Sequence, residues 1–204
     1  MFYEPSQGHG LPFNPIKAII APRPIGWVST IDAQGRPNLA PYSYFNIVSA
    51  EPVLLMFTSE GFKDSVRNAR ETGEFVYNLV TEPLKQAMNA TSAALGPGEN
   101  EFEFAKLGAA PSRFVKPPRV ADTPAALECK VVSVTELADM HGKLTDRHMV
   151  IGQVVGVHIA DEYVVNGRFD MVKAQTIARC GYQDYAQVTA LTQLQRPGEA
   201  PLKV

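Results

Sequence analysis

The stretch Arg23 to Asn46, RPIGWVSTIDAQGRPNLAPYSYFN, constrains this chain more than any other, because it reads as a β-hairpin whose arms are not ordinary strands. Trp27 to Ile31 predicts one strand, Asp32-Ala33-Gln34-Gly35 the turn, and Pro37 to Phe45 the returning strand. Gly35 supplies the positive φ that such a turn needs. The alternation of apolar and polar residues fails at Ser29-Thr30 and again at Pro41-Tyr42-Ser43, so packing alone did not choose these side chains. Pro41 has no N–H for a ladder and marks an edge, a bulge or a turn of the backbone toward something else. With Ser43 and Asn46 beside Tyr42 and Phe45, the returning arm suits a planar, partly polar ligand lying along a strand. A hairpin with a merely decorated polar face is the competing reading.

A second polar cluster narrows the choice. Pro52 to Phe57 reads as a buried strand, and Thr58-Ser59-Glu60-Gly61-Phe62-Lys63-Asp64-Ser65 leads from it into a helical pattern over residues 63–72. Hydroxyls, a glycine, a lysine and a helix start make an anion site. The helix dipole favours a phosphate there by about 0.3–1 kcal/mol at exposed positions. Each charge-assisted hydrogen bond from Lys63 or a hydroxyl adds roughly 1.5–3 kcal/mol. Against this stands the plain reading in which Asp64 or Ser65 simply caps the helix. The G-x-x-x-x-G-K-[ST] spacing is absent, which argues against a nucleoside triphosphate.

Taken together, the two stretches resemble the flavin reductase-like, FMN-binding split-barrel family, which includes flavoredoxin and the reductase components of two-component monooxygenases. The residues that carry the resemblance are Arg23-Pro24, Trp27-Val28-Ser29-Thr30, Gly35, Asn38-Leu39-Ala40-Pro41-Tyr42-Ser43 and Asn46. Pro52, Lys63-Asp64-Ser65, Asn68 and the run Gly73 to Asn78 add to them, and the likeness spans Lys17 to Tyr185. It implies a mainly β chain with helices (α+β), a Greek-key-like FMN-binding split β-barrel, as a single domain over residues 1–204 with an N-terminal arm and a C-terminal tail. It also implies that the isoalloxazine lies against the first hairpin and the phosphate on the second cluster. The cofactor-binding residues expected on that basis are Arg23, Trp27, Ser29, Thr30, Ala40, Pro41, Tyr42, Ser43, Asn46, Thr58, Ser59, Lys63, Asp64 and Ser65. For Trp27, the only tryptophan, core packing is the alternative to a place near the ring. For Arg23, an ordinary surface position is the alternative.

His148 resembles the histidine of the family's Gly-Asp-His motif near the nicotinamide site, with Asp146-Arg147 standing where the family has Gly-Asp. An imidazole orients groups or handles protons near neutral pH; a histidine that merely begins a strand is the alternative. The tail Ala178 to Tyr185 resembles the family's Arg-Leu-Gly-Gly segment followed two residues later by Tyr, with Cys180 for the leucine and Tyr182 for the second glycine. In relatives it packs near the cofactor across the dimer. The activity implied is that of an NAD(P)H:flavin oxidoreductase. It would hold FMN, with FAD as the other flavin, take NADH or NADPH as co-substrate, form a homodimer, and serve a monooxygenase or other electron-acceptor protein. The alternatives are an FMN-containing electron carrier without NAD(P)H turnover and a non-catalytic module that binds flavin or heme.

Composition sets outer limits. A chain of 204 residues, 45% of them apolar, fills one core. A net charge of −2 with scattered Lys and Arg leaves no footprint for nucleic acid. No apolar run approaches ~18 residues, and Met1 to His9 lacks the pattern of a signal peptide, so a cytoplasmic protein without a membrane segment is expected. Cys129 and Cys180 read as reduced thiols. His141 and His148 do not have a recognised ligand spacing, so no metal is expected. Neither G-x-S-x-G nor G-x-G-x-x-G occurs, which argues against a serine hydrolase and a dinucleotide fold.

Elsewhere the pattern predicts a short helix over Pro15 to Ile20 and a strand over residues 74–80. A second helix is expected from Pro83 to Ser92, with Leu84, Ala87, Met88 and Thr91 on one face. Residues 101–126 form a proline-rich excursion that reads as a lid, a partner contact or a rigid surface loop. Leu127 to Leu137 predicts a strand with Leu127, Cys129, Val131 and Ser133 on one face. His148 to Ala160 predicts another, with Gly152 and Gly156 as bend points. Residues after Ala190 read as a loose end.

Overall fold

The computed structural model describes residues 1–96 and 99–198. An irregular arm with one 3₁₀ turn precedes α1 (Ile16–Ile19) and β1 (Arg23–Pro24). Then come β2 (Gly26–Ile31), β3 (Pro37–Tyr42), β4 (Phe45–Ala50), β5 (Val53–Glu60), α2 (Asp64–Thr72) and β6 (Glu74–Asn78). A 3₁₀ turn leads into α3 (Lys85–Ala90), followed by α4 (Glu101–Phe104), β7 (Ala109–Ala110) and β8 (Arg119–Val120). The long strands β9 (Ala125–Ala138) and β10 (Leu144–Ile159) follow. The chain then adds β11 (Val164–Val165), β12 (Arg168–Phe169), β13 (Ile177–Arg179) and β14 (Tyr185–Gln187).

Seven strands form one antiparallel sheet in the order β3-β2-β6-β9-β10-β5-β4. Its two edge strands, β3 and β4, are consecutive in the chain, so the sheet curls until its edges meet along a seam. Just before β4, the Tyr44 carbonyl accepts from the Thr58 amide at 2.8 Å, which extends the β4–β5 ladder up to that seam. Val28, Phe45, Phe57, Phe75, Cys129 and Val150 fill the interior, and α2 closes one end with Val66 and Ala69. On the outer face of β2 and β3 a second apolar layer gathers Trp27, Leu39, Met88, Phe102 and Val120. A small sheet, β1-β13-β14, lies beside it.

The turn, α2 and the mainly β fold agree with the pattern of the sequence; β10 begins at Leu144, before His148, and three further details differ. The returning arm of the hairpin stops at Tyr42, short of Phe45, because Phe45 lies over Gly26 in the space a β-carbon would need. The chain therefore turns at Ser43-Tyr44 and starts a new strand. In β9 the residue that joins Leu127, Cys129 and Val131 in the core is Val134, not Ser133. The register with β10 shifts between Ile151 and Gly152 and again between Val154 and Gly156, so bulges at these glycines reset the alternation. A side chain at Gly152 would collide with Phe75.

The third difference is residues 101–126, which are neither structureless nor loose. Glu101 accepts a hydrogen bond from the Leu39 amide at 3.1 Å and so covers the free edge of β3. The proline-rich part is fastened to the outer face of the sheet by buried side chains. Glu128 accepts from the amides of Arg113 (2.7 Å), Phe114 (2.5 Å) and Val115 (3.1 Å), and it also contacts His158 Nε2. Glu74 accepts from the Lys116 amide at 2.7 Å and pairs with Lys130. Asn78 accepts from the Val120 amide at 2.8 Å. The segment is thus held to the sheet by hydrogen bonds to buried side chains.

Burial pushes the Glu128 carboxyl up, but the His158 contact and the amides of Arg113 and Phe114 outweigh it and hold the group below its ordinary value. Its contribution is therefore present above the ordinary carboxylate pKa and is lost as pH falls through the lowered value. Glu128→Ala, which orphans three amides, is expected to lower stability by about 3–5 kcal/mol at neutral pH. Urea unfolding checks this, and the gap between variant and parent should narrow below about pH 4.

Candidate functional site

Gly61, at φ +85, turns β5 into α2. Its carbonyl accepts from the Ser59 hydroxyl at 2.9 Å and the Lys63 amide at 3.0 Å, which fixes the turn. Lys63 is the N-cap of α2 in extended conformation, and no side chain caps the helix. Neither Asp64 nor Ser65 does so: exposed Asp64 pairs with Arg67, and the buried Ser65 hydroxyl accepts from Asn38 Nδ2 at 2.9 Å. A helix of nine residues thus begins with uncapped first-turn amides beside an exposed lysine, an arrangement that favours an anion.

Under this end lies a buried polar layer. Thr30 Oγ1 accepts from Asn38 Nδ2 and Asn68 Nδ2, both at 3.2 Å, and Asn68 Oδ1 has no partner. Burial pushes the Tyr42 phenol up, against the hydrogen bonds of Ser65 and Ser59 that pull it down. The Tyr42 ring packs on Phe57 at 4.9 Å. Thr58 and Ser59 sit at the end of β5, the first half-buried and the second fully enclosed.

The hairpin residues divide into two groups. Ala40, Pro41 and Ser43 are half-buried at the seam, and Asn46 is exposed. Pro41 and Ser43 line a polar cavity of about 270 Å³ together with Met88, Asn89, Ser92, Arg179 and Tyr185. Arg179 lies over the Tyr185 ring at 4.6 Å and donates to the Tyr182 carbonyl at 2.5 Å. The C-terminal segment thus meets the hairpin within one chain. Arg179, Asn89 and Ser92 were not among the site residues expected from sequence. The tail motif pointed to the first, whereas nothing in the pattern pointed to the open side of α3.

The second group is committed to the protein's own interior. Trp27 has no exposed surface, and its indole N–H donates to Thr91 Oγ1 at 2.9 Å, so of its two readings the structure shows core packing. Ser29 and Thr30 are equally enclosed, and the Ser29 hydroxyl donates to the Pro118 carbonyl at 2.5 Å. Arg23 spends its guanidinium on backbone carbonyls, donating to Lys17 at 2.5 Å, to Ile20, and to Cys180 at 2.9 Å. It ties α1 to the tail, where Gly181 leaves room for Ala18.

His148 pairs across the sheet with Ser59, and its ring meets Phe62 edge-on at 5.1 Å. Its Nε2 lies 3.2 Å from Asp146 Oδ1. The fold therefore brings the histidine to the loop that carries Lys63, although the sequence separates them widely. Among the described residues no cluster of metal-binding side chains occurs, and no helix is long and apolar enough to cross a membrane.

This arrangement defines a class. Residues 20–172 match the flavin reductase like domain, and the chain belongs to the flavin reductase-like family of flavin-binding oxidoreductases. An uncharacterized protein from Aquifex aeolicus is 34% identical over 93% of this chain and 92% of its own length. The crystal structure of nitrilotriacetate monooxygenase component B from Bacillus cereus is 32% identical, with a TM-score of 0.82 over 92% of this chain and 100% of that one. A structure from Shewanella frigidimarina described as a flavin reductase with split barrel domain is 25% identical, with a TM-score of 0.80 over 89% of each chain. The fold is that of the split-barrel flavin reductases.

Since Ser29 is bound to Pro118 and not open to a ligand, Ser29→Ala is expected to lower stability by about 0.5–1.5 kcal/mol and leave flavin affinity unchanged. Denaturant unfolding and fluorescence titration with flavin, run on the same preparation, separate the two effects.

Proposed function

We propose that this protein is an NAD(P)H-dependent flavin reductase that holds FMN, works as a homodimer, and passes reduced flavin or electrons to a separate acceptor such as a monooxygenase component. One observation carries the reading. An uncapped helix start with an exposed lysine stands near a seam lined by Pro41 and Ser43, in a chain of the flavin reductase-like family. Those residues fit the cofactor's two chemistries, since an anionic phosphate needs the amides and Lys63, and a planar ring needs an edge with few competing donors. Bound FMN would accept hydride from the nicotinamide.

The chain's own residues bind and orient. The Lys63 ammonium and the first-turn amides of α2 would neutralise the phosphate. Pro41, which has no N–H, and the Ser43 hydroxyl would flank the ring, with Asn46 and Thr58 along the same seam. The polar layer of Thr30, Asn38 and Asn68 holds α2 in place from beneath, so its members support the seat without touching the ligand. His148, braced by Phe62 and Asp146, would orient the nicotinamide.

Saturable oxidation of NADH or NADPH that depends on FMN is the expected result in steady-state assay. A flavin-loaded protein with no such turnover would point to the electron carrier. His148→Gln is expected to raise KM for the nicotinamide several-fold with FMN affinity unchanged. Lys63→Ala should weaken FMN about tenfold and riboflavin much less, because only FMN carries the anion. Equal losses for both would take the lysine away from the phosphate.

A further inference from the structure

A second cavity of about 220 Å³ lies between β1, the end of β6 and β13. Its walls are Pro22, Pro24, Ile25, Leu79, Val80 and Ile177, and no charged side chain lines it. Prolines and β-branched residues have few alternative conformations, so the shape is preset. The volume is below the roughly 300–1,000 Å³ of sites for drug-sized molecules, which limits an occupant to about one ring. A charged occupant would lose its hydration with no counter-ion to offset the loss.

Two polar groups interrupt these walls. Tyr77 lines the cavity and is partly accessible, so its hydroxyl can serve a ligand there. The ring is held in place by stacking on Phe45 at 4.7 Å and 14° between planes. Burial pushes the phenol pKa up, so the group keeps its proton and is a donor. Thr176 lines the same cavity, and its buried hydroxyl has no partner among the described residues. An unpaired buried hydroxyl is uncommon in a folded chain, and that of Thr176 beside an apolar cavity calls for a partner from outside the protein.

We infer that this cavity binds a small, uncharged, single-ring carbonyl compound whose oxygen accepts a hydrogen bond from Tyr77. Ile25 is common to this cavity and to the polar one lined by Pro41 and Ser43, so the compound lies one side chain away from the proposed flavin seat. The site itself does not depend on the flavin reading, because the chain alone builds it.

The test uses flavin-free protein titrated by NMR with acetophenone, ethylbenzene and benzoate. Acetophenone should bind saturably, one per chain, and at least tenfold more tightly than benzoate. Tyr77→Phe should weaken acetophenone about fivefold and leave ethylbenzene unchanged. Ala178→Met, which fills the cavity from β13, should abolish binding of both neutral compounds while the far-UV spectrum and the melting temperature stay near those of the parent. Benzoate bound as tightly as acetophenone, indifference to Tyr77→Phe, or full binding in Ala178→Met would overturn the inference. So would competitive displacement of acetophenone by saturating FMN, since the cavity would then be the flavin's own. Failure of FMN to bind at all, with acetophenone still bound, would count against the flavin reductase reading and leave this site standing.

Discussion

The contact of Phe45 with Gly26 governs how the barrel ends. The ring occupies the volume that any β-carbon at Gly26 would need, so the first residue of β2 and the first residue of β4 exclude every alternative side chain there. The strand that returns from the hairpin cannot run on past Tyr42, and the chain must cross from one sheet edge to the other within Ser43 and Tyr44. Both edges of the seven-stranded sheet are thereby adjacent. The prolines at positions 37 and 41 lie on β3, an edge strand, where missing N–H groups cost little. The residues proposed to flank the ring are the ones this crossing leaves at the surface.

A second constraint acts on the outside of the sheet. Glu74, Asn78 and Glu128 are buried polar groups on β6 and β9, and each accepts from amides of the segment that covers them. Carboxylates so enclosed are costly unless fully hydrogen-bonded, and the loop amides meet that need while gaining partners themselves. The loop and the sheet therefore hold each other. Ser29 joins the same arrangement through Pro118, which is why a hydroxyl that breaks the alternation of β2 need not face a ligand.

Much of this was legible along the chain. The turn at Gly35, the start of α2 after Gly61, and the bulges at Gly152 and Gly156 follow from local chemistry, because a positive φ, an anion-friendly helix start and a missing side chain act within a few residues. The lysine cluster was legible for the same reason. Arg23, Trp27, Ser29 and Thr30 were harder, since their types suit a ligand and an interior hydrogen bond equally well. Only the neighbours Thr91, Pro118, Asn38 and Asn68, distant in sequence, show which use each side chain has. Residues 101–126 were opaque because their fastening comes from carboxylates on strands that flank them in space.

The sequence by itself determined the β-rich barrel pattern, the family likeness and the lysine-bearing helix start, all of which rest on periodicity and short-range backbone preference. The tertiary structure alone decided which hydroxyls are enclosed, that Arg179 meets the hairpin edge, and that Tyr77 faces an apolar cavity. Burial and partner choice depend on elements brought together from opposite ends of the chain, and no local pattern encodes where those elements meet.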